Sequence, residues 1–317
     1  RRPGPRGHRP LGPLNRKLQP RLDYAVFTGL FHLTRLFPRR VLLANGRGLG
    51  SFMWKVVKFR RRVVLENLTA AFGDEHDAAW MEKTALDFWH HLGMMMMEFL
   101  SAGHRSRQDL RDTVAVQDHE VLDDLVARKQ GALLMAGHQG NFELMLPRAA
   151  VQGYETHGIV KAQSNKLIDG FYNGLRAHEG VGIIYTGGAF QQIREVLEGG
   201  GFIGLLRDQD AGRRGQFVHF LGRPASVSPG PATLAVKAGV PNVMAAMYRQ
   251  PDHSHVLRVG PLLEADPAWD QETAITRLTE MHTAELEKAV REMPAMYYWV
   301  HRRWKTQPPV PADETDQ

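Results

Sequence analysis

The sequence contains no cysteine among its 317 residues. Disulfide bonds, thiolate zinc sites and cysteine nucleophiles are therefore excluded, and no metal site is expected. The sequence also lacks a G-x-S-x-G nucleophile elbow, an H-E-x-x-H zinc motif and a phosphate-binding P-loop. Any catalytic activity must therefore come from a different arrangement of residues.

Long apolar runs are missing as well. No stretch reaches the ~18 apolar residues expected of a transmembrane helix. The best candidate, YAVFTGLFHLTRLFP (residues 24–38), is shorter and contains charged residues. It is typical of an amphipathic helix, because Val26, Leu30, Leu33 and Phe37 recur every three or four residues. Such a helix can lie at a membrane surface, with a core helix of a soluble fold as the alternative.

Acidic residues are scarce at the N-terminal end. Residues 1–62 contain thirteen Arg and three Lys against one acid, Asp23, so this part carries +15. The whole chain carries +6, which leaves −9 for residues 63–317. This asymmetry indicates an anionic partner, either a membrane surface or nucleic acid. Few aromatic residues interleave with the arginines of residues 1–21, which disfavours nucleic acid.

Composition and periodicity divide the chain into four regions. Residues 1–21 are rich in Pro, Gly and Arg, and we expect a disordered basic tail. Residues 22–112 show helical periodicity and form the predicted N-terminal helical, membrane-associating region, within which NGRGLGS (45–51) is interpreted as a loop. Residues 113–309 form the predicted α/β core, and residues 310–317 a second disordered tail.

Short apolar runs alternate with helical patterns after residue 113. GALLMAG (131–137), GFIGLLRD (201–208) and VPNVMAAMYR (240–249) are examples of predicted strands, and GAFQQIREVLEGG (188–200) is a predicted helix. This alternation predicts an α/β fold with a mixed, largely parallel sheet flanked by helices. In such sheets the active site lies beyond the carboxyl ends of the strands.

A histidine follows the first of these predicted strands, in the segment GHQGNFE (137–143). Gly140 permits a sharp turn, and Asn141 is a predicted N-cap for the next helix. Glu143 would then lie in the first helical turn, where a carboxylate is favoured. A carboxylate that binds one ring nitrogen of His138 leaves the other free to accept a proton. The spacing suggests a His138–Glu143 dyad with a substrate hydroxyl as nucleophile, or else an ordinary loop.

GHQGNFE resembles the H-x-x-x-x-E/D signature of acyltransferases. It is most similar to the form found in the lipid A late acyltransferase family, the lauroyl and myristoyl acyltransferases of lipopolysaccharide assembly. The resemblance extends over residues 25–309. Further segments resemble the family in the same order, namely RRRVVLENLTAAF (60–72), VKAQSNKLID (160–169), LLRDQDAGRRGQFVHFLGRPA (205–225), LAVKAGVPNVMAAMYR (234–249) and YYWVHRRWKTQPP (297–309).

The resemblance implies a glycerolipid-acyltransferase-like fold and O-acyl transfer from an acyl thioester to a hydroxyl of a membrane lipid. His138 would be the general base, and Glu143 would orient it and stabilise the imidazolium. No cofactor is implied, and acyl-carrier protein or acyl-CoA would be the co-substrate. The acyl-carrier protein is strongly acidic, so a basic surface would attract it.

Nine further residues are candidates for substrate binding. The cations among them suit the phosphates of the acceptor or of the donor's carrier, with a plain basic surface as the alternative. The two aspartates suit a headgroup or a neighbouring arginine, with solvated acids in a turn as the alternative. The nine are Gly140, Asn141, Lys161, Asn165, Arg176, Asp208, Asp210, Arg249 and Arg302.

One departure from the family concerns phosphate recognition. Lys161 stands where the family usually has Arg, and Ala162 where it has Pro. Lysine is a point charge without the bidentate fork of arginine, so recognition of the carrier or of a phosphate is expected to differ.

These observations together predict an O-acyltransferase at the cytoplasmic face of a bacterial inner membrane, either peripheral or N-terminally anchored. A lipid A precursor is the first candidate acceptor. A lysophospholipid, a phosphoinositide mannoside or an aminolipid would require the same chemistry. Two other classes stay open: a non-enzymatic protein that binds anionic lipid, and a hydrolase that passes acyl groups to water.

Overall fold

The structure is a computed structural model that describes residues 13–309. Residues 1–12 and 310–317, which contain much of the first predicted tail and the second in full, lie outside the described residues. The α-helices of the described part are α1 (Pro13–Thr34), α2 (Arg39–Phe52), α3 (Arg61–Phe72), α4 (Ala78–Leu100), α5 (Arg107–Thr113), α6 (Glu120–Ala127), α7 (Met145–Gln152), α8 (Lys166–His178), α9 (Ala189–Glu198), α10 (Gly230–Ala238) and α11 (Gln271–Glu292). The strands are β1 (Val114–Gln117), β2 (Ala132–Ala136), β3 (Thr156–Val160), β4 (Gly182–Tyr185), β5 (Phe202–Leu206), β6 (Gln216–Phe220), β7 (Arg223–Val227), β8 (Asn242–Arg249) and β9 (His255–Leu263).

Seven strands form one sheet in the order β1-β9-β8-β2-β5-β3-β4. Strands β8, β2, β5, β3 and β4 are parallel to one another, whereas β9 is antiparallel to β8 and parallel to β1. Strands β6 and β7 form a separate antiparallel hairpin. The predicted mixed, largely parallel α/β sheet is therefore confirmed.

Helices cover both faces of this sheet. On one face Leu133 and Met135 of β2 belong to a buried cluster that also contains side chains of α9, α10 and α11. On the other face Leu134 and Phe202 pack with residues of α6 and α7. Strands buried on both faces explain the continuous apolar runs in the sequence, in place of alternation.

Helix α1 begins earlier than predicted, at Pro13. The expectation of disorder for residues 13–21 is therefore wrong. Proline suits the first position of a helix, and the Leu, Arg, Lys and Gln that follow have high helix propensity. Aromatic residues of α1 pack edge-on against α8, with ring centroids 5.4 Å apart for Phe27 and Phe171 and 4.9 Å apart for Phe31 and Phe171. No helix in residues 13–309 is long and apolar enough to cross a membrane.

The segment NGRGLGS (45–51) is helical, not a loop, because it lies within α2. Its glycines permit close packing of α2 on α4. A Cβ on Gly50 would lie 2.1 Å from the carbonyl oxygen of Trp89, and one on Gly93 would lie 2.0 Å from that of Gly46. Small residues four apart allow two helix backbones to approach closely. The packing of two helices therefore outweighs the low helix propensity of glycine here.

Candidate active site

Two neighbouring parallel strands place the central residues of the site. Ala136 of β2 is in register with Leu206 of β5. His138 follows Ala136 by two residues, and Asp208 follows Leu206 by two residues, so the side chains meet beyond the carboxyl edge of the sheet.

Asp208 makes two hydrogen bonds with His138. The ring Nδ1–H donates to Oδ1 over 2.6 Å, and the backbone N–H of His138 donates to Oδ2 over 2.9 Å. Asp208 is 4% exposed. Burial by itself lowers the pKa of His138, but the hydrogen bond and charge of Asp208, with the charge of Glu143, raise that pKa above its ordinary value. In residues 13–309 no hydrogen bond involves Nε2, which is therefore able to accept a proton.

The predicted hydrogen bond between His138 and Glu143 is wrong. Glu143 lies in a short 3₁₀ turn after the histidine, and its carboxylate accepts from Arg176 Nη2 over 3.1 Å. Arg176 reaches it from the last turn of α8. Glu143 still acts on the histidine through its charge, at longer range.

A cavity of about 820 Å³ opens at this pair. Its polar end includes His138, Glu143, Lys161, Arg176 and Asp210. Its interior runs over the sheet face beneath α6 and α7 and is lined mainly by apolar residues, among them Leu122, Leu134, Leu146, Ala149, Val243, Leu257 and Val259. An apolar cavity with convergent polar groups at one end is typical of a site for an amphipathic ligand.

A second buried polar cluster lies on the other side of the segment His138–Leu144, which connects β2 to α7. Glu98 of α4 accepts from Arg249 Nη1 over 3.0 Å, from Asn141 Nδ2 over 2.8 Å and from Arg39 Nη2 over 2.9 Å. Burial opposes ionisation of Glu98, but the charges of His255, Arg249 and Arg39 lower its pKa to about 2. The cluster therefore fixes the segment His138–Leu144 to α4 through a carboxylate that is charged at neutral pH.

This cluster corrects two of the predicted substrate contacts. Asn141 is 1% exposed, and its side chain binds Glu98 instead of capping a helix. Arg249 is 5% exposed, and its guanidinium is bound to Glu98 and to His91. Both residues are buried behind the loop and do not line the cavity.

A sequence model described as bacterial lipid A biosynthesis acyltransferase matches residues 13–306. The chain belongs to this family. It is therefore an acyltransferase, as its resemblance to lipid A late acyltransferases implied.

Two curated members of the lipid A acyltransferase family from Escherichia coli (strain K12) are similar along most of their length. The lipid A biosynthesis lauroyltransferase is 26% identical over 283 residues, which covers 88% of this chain and 90% of that protein. The lipid A biosynthesis palmitoleoyltransferase is 24% identical over 288 residues, with the same two coverages of 88% and 90%. A lipid A biosynthesis acyltransferase of Shigella flexneri is also 24% identical over 288 residues.

In this acyltransferase, two more predicted contacts have structural positions instead. Gly140 has φ +63°, and a Cβ there would lie 1.7 Å from the carbonyl oxygen of Met247, so only glycine fits the turn. Asn165 caps α8 by accepting from Leu167 N over 3.1 Å, and its Nδ2 donates to the carbonyl of Pro20 over 2.8 Å. It therefore joins α8 to α1.

The other predicted contacts divide between the cavity and the surface. Lys161, Arg176 and Asp210 line the cavity. Asp210 also accepts from the hydroxyl of Thr306 over 2.9 Å, which ties the edge of the sheet to the C-terminal segment. Arg302 is exposed and does not line the cavity. These positions leave the binding roles of the cavity residues as predictions.

Sequence reasoning missed the direct partner of the histidine. Asp208 was a candidate, but as a partner of the substrate headgroup or of a neighbouring arginine. A signal was present, since RDQD follows a predicted strand as GHQGN does. The adjacency of β2 and β5, which are separated in the chain by β3 and β4, was the missing information. Arg207, which lines the cavity and is 8% exposed, was missed as well.

Proposed function

We propose that this protein transfers a fatty acyl group from an acyl thioester to a hydroxyl of a lipid A precursor, with His138 and Asp208 as the catalytic dyad. The observation that carries the proposal is the dyad at the mouth of the apolar cavity. The similarity to lipid A lauroyl- and palmitoleoyltransferases supports this acceptor. The thioester is that of acyl-carrier protein, with acyl-CoA as the second candidate donor.

The proposed chemistry needs one base with a free nitrogen. His138 Nε2 removes the proton of the acceptor hydroxyl as its oxygen attacks the thioester carbonyl. Asp208 holds the Nδ1–H tautomer and stabilises the imidazolium that forms. Collapse of the tetrahedral intermediate breaks the carbon–sulfur bond, and the imidazolium returns the proton to the departing thiolate. An ester and a free thiol result.

The cavity supports an acyl substrate over a small polar one. Its interior walls carry Leu134, Leu146, Val243 and Val259, side chains that cannot hydrogen-bond. Burial of each methylene of a fatty chain against such walls contributes roughly 0.8 kcal/mol. Lys161 and Arg176 at the polar end suit the phosphate of a carrier or of the acceptor.

The exposed face of α1 supports association with an anionic membrane. The predicted apolar side chains point outward, with Val26 55%, Leu30 48% and Leu33 48% exposed on α1 and Phe37 41% exposed just after it. The other side of the helix packs on α8 through Phe27 and Phe31. Residues 24–65 contain no Asp or Glu, so cations flank the apolar side chains without acids. Apolar burial plus attraction to anionic lipid holds such helices at the headgroup level. We place the enzyme at the cytoplasmic face of the bacterial inner membrane.

Acyl transfer by the purified protein tests the function. Labelled acyl-carrier protein and acyl-CoA are offered with a panel of lipid A precursors and lysolipids, and products are identified by mass spectrometry. We expect one lipid A precursor to gain an acyl ester. His138→Ala should lose roughly 10²–10⁴-fold in rate while its circular dichroism stays that of the wild type.

Three results would count against the proposal. Acylation of lysolipids alone would move the acceptor to another lipid class. Release of free fatty acid at the rate of transfer, without acceptor, would make the enzyme a hydrolase. Equal rates for wild type and His138→Ala would remove the dyad from the mechanism.

A further inference from the structure

The floor of the cavity is one row of residues across the sheet. Leu134 of β2 is in register with Val243 of β8 and with Gly204 of β5, and Gly204 with Gly158 of β3. All four line the cavity. Leu134 precedes His138 by four residues, so this row lies ~13 Å from the catalytic histidine at the rise of a strand.

The next row towards the amino ends of the strands is closed. It contains Ala132, Phe202 and Thr156, which are in register with one another and are 0%, 0% and 1% exposed. None of the three lines the cavity. A chain that enters beside His138 and runs along the strands therefore meets its end at the Leu134 row.

Two strand positions in the floor row carry no side chain. Gly158 and Gly204 have ordinary strand backbone, so neither needs glycine for its conformation. The space above them is occupied instead by Leu146, from the first turn of α7. A Cβ on Gly204 would lie 2.7 Å from Leu146 Cδ2, and one on Gly158 would lie 3.3 Å from Leu146 Cδ1.

Leu146 is therefore the one side chain that fills the gap of the glycine pair from the opposite wall. It is half-buried, lines the cavity and touches the floor with its flexible end. The position of its two methyl groups decides how much of the floor row stays open.

We infer that Leu146, seated on Gly158 and Gly204, sets the length of acyl chain that the enzyme transfers. The inference rests on the proposed acyl transfer and goes beyond it by naming the determinant of donor specificity. More side-chain volume where Leu146 meets the two glycines shortens the accepted acyl chain, and less volume there lengthens it. Hydrophobic pockets discriminate against one excess methylene by roughly 10-fold or more.

Competition among donors measures this length directly. Acyl-carrier proteins that carry saturated acyl groups of different lengths are offered together. The mass of the acylated lipid, measured by mass spectrometry, identifies the chain transferred. Leu146→Ala should move the preferred chain roughly two to three carbons longer, because it removes an isopropyl group of about that many carbon atoms. Leu146→Met conserves volume and should leave the preference unchanged.

Gly204→Ala tests the same contact from the floor. The added methyl group would lie 2.7 Å from Leu146 Cδ2, so the flexible tip of Leu146 has to shift, and we expect it to move into the cavity. The preferred chain should become shorter. In the double variant Gly204→Ala/Leu146→Ala the new methyl group meets no leucine, so the preference should return towards that of the wild type or beyond.

Two control variants make the same types of substitution, Leu→Ala and Gly→Ala, at positions that do not line the cavity. Leu234→Ala removes a half-buried leucine of α10 from the opposite face of the sheet. Gly174→Ala adds a methyl group on α8 where nothing lies within 4 Å. Both should transfer the chain lengths of the wild type.

The outcomes separate this inference from the proposed function. Wild type that transfers no acyl group in any combination refutes the proposed function. The inference alone is overturned if the wild type prefers one chain length and both Leu146→Ala and Gly204→Ala keep that preference. Both variants must have a native circular dichroism for this result to count. The inference is supported if Leu146→Ala lengthens and Gly204→Ala shortens the preferred chain, and if the double variant no longer shows the shortening.

Discussion

Two buried carboxylates flank the segment His138–Leu144, and they differ in whether the groups bound to them can still accept a proton. Asp208 is 4% and Glu98 is 5% exposed, so burial does not separate them. Asp208 is bound chiefly to one histidine, whose second nitrogen faces a cavity. Glu98 accepts from two arginines and an amide, whose nitrogens are donors that cannot accept a proton.

The proposed catalytic pair and the structural ion pair are distinguished by the groups that bind each carboxylate, not by burial or by hydrogen-bond length. Hydrogen-bond lengths are similar in the two clusters. A proton can enter or leave the Asp208 cluster through His138 Nε2, whereas the Glu98 cluster has no comparable nitrogen among the arginines and the amide that bind it. We therefore assign chemistry to the first cluster and positioning of the loop to the second.

Asp208→Asn should have the largest effect on rate. Loss of the carboxylate removes the hold on the histidine tautomer, and we expect kcat to fall by roughly 10²–10⁴-fold. The pKa of His138 should also fall, because the hydrogen bond and charge of Asp208 now raise it. Since the base works when neutral, the acid limb of the profile of kcat against pH should move to lower pH. An unmoved limb would mean that another group titrates there.

Glu98→Ala should have the largest effect on stability. It leaves the buried Arg249 without a carboxylate to balance its charge, which costs roughly 3–5 kcal/mol of unfolding free energy. Urea denaturation measures the loss, with Asp208→Asn as the matched comparison at equal burial. If both variants unfold at the same urea concentration, the division into a structural and a catalytic carboxylate fails.

Glu143→Gln should have a smaller effect, which sharpens the assignment of the dyad. It keeps the shape of the side chain and removes a charge that raises the pKa of His138 from a distance. We expect a loss of kcat below ~10-fold and a slight shift of the acid limb to lower pH. A loss as large as that of Asp208→Asn would restore Glu143 as the partner of the histidine.

The pH dependence of stability provides the finest comparison. The pKa of Glu98 is lowered from 4.5 to about 2, so its contribution to stability is present above pH 4.5 and is lost as the pH falls towards 2. Thermal unfolding of wild type and Glu98→Gln should therefore differ at pH 6 and converge in acid. A constant difference between the two at all pH values would show that Glu98 does not carry this charge-dependent stability.

The sequence predicted the fold class because the strands are continuous apolar runs separated by helices. It also predicted that His138 lies beyond the end of a strand, since GALLMAG precedes it. It did not reveal that Asp208 binds the ring, because this contact depends on β5 lying beside β2. It assigned Arg249 to a substrate because a charge in a sequence carries no sign of burial, and it took NGRGLGS for a loop because the packing partner Gly93 is distant in the chain.

The register of Ala136 with Leu206 has a consequence for variation along the chain. The dyad is spaced by adjacent parallel strands, although His138 and Asp208 are 70 positions apart in the chain. Insertions or deletions in the crossover segments between these strands should therefore leave the pair intact. A shift of either strand by a single residue would turn one partner to the opposite face of the sheet and dissolve it. The His138–Asp208 pair thus tolerates changes in the length of the crossover segments but not a one-residue change in strand register.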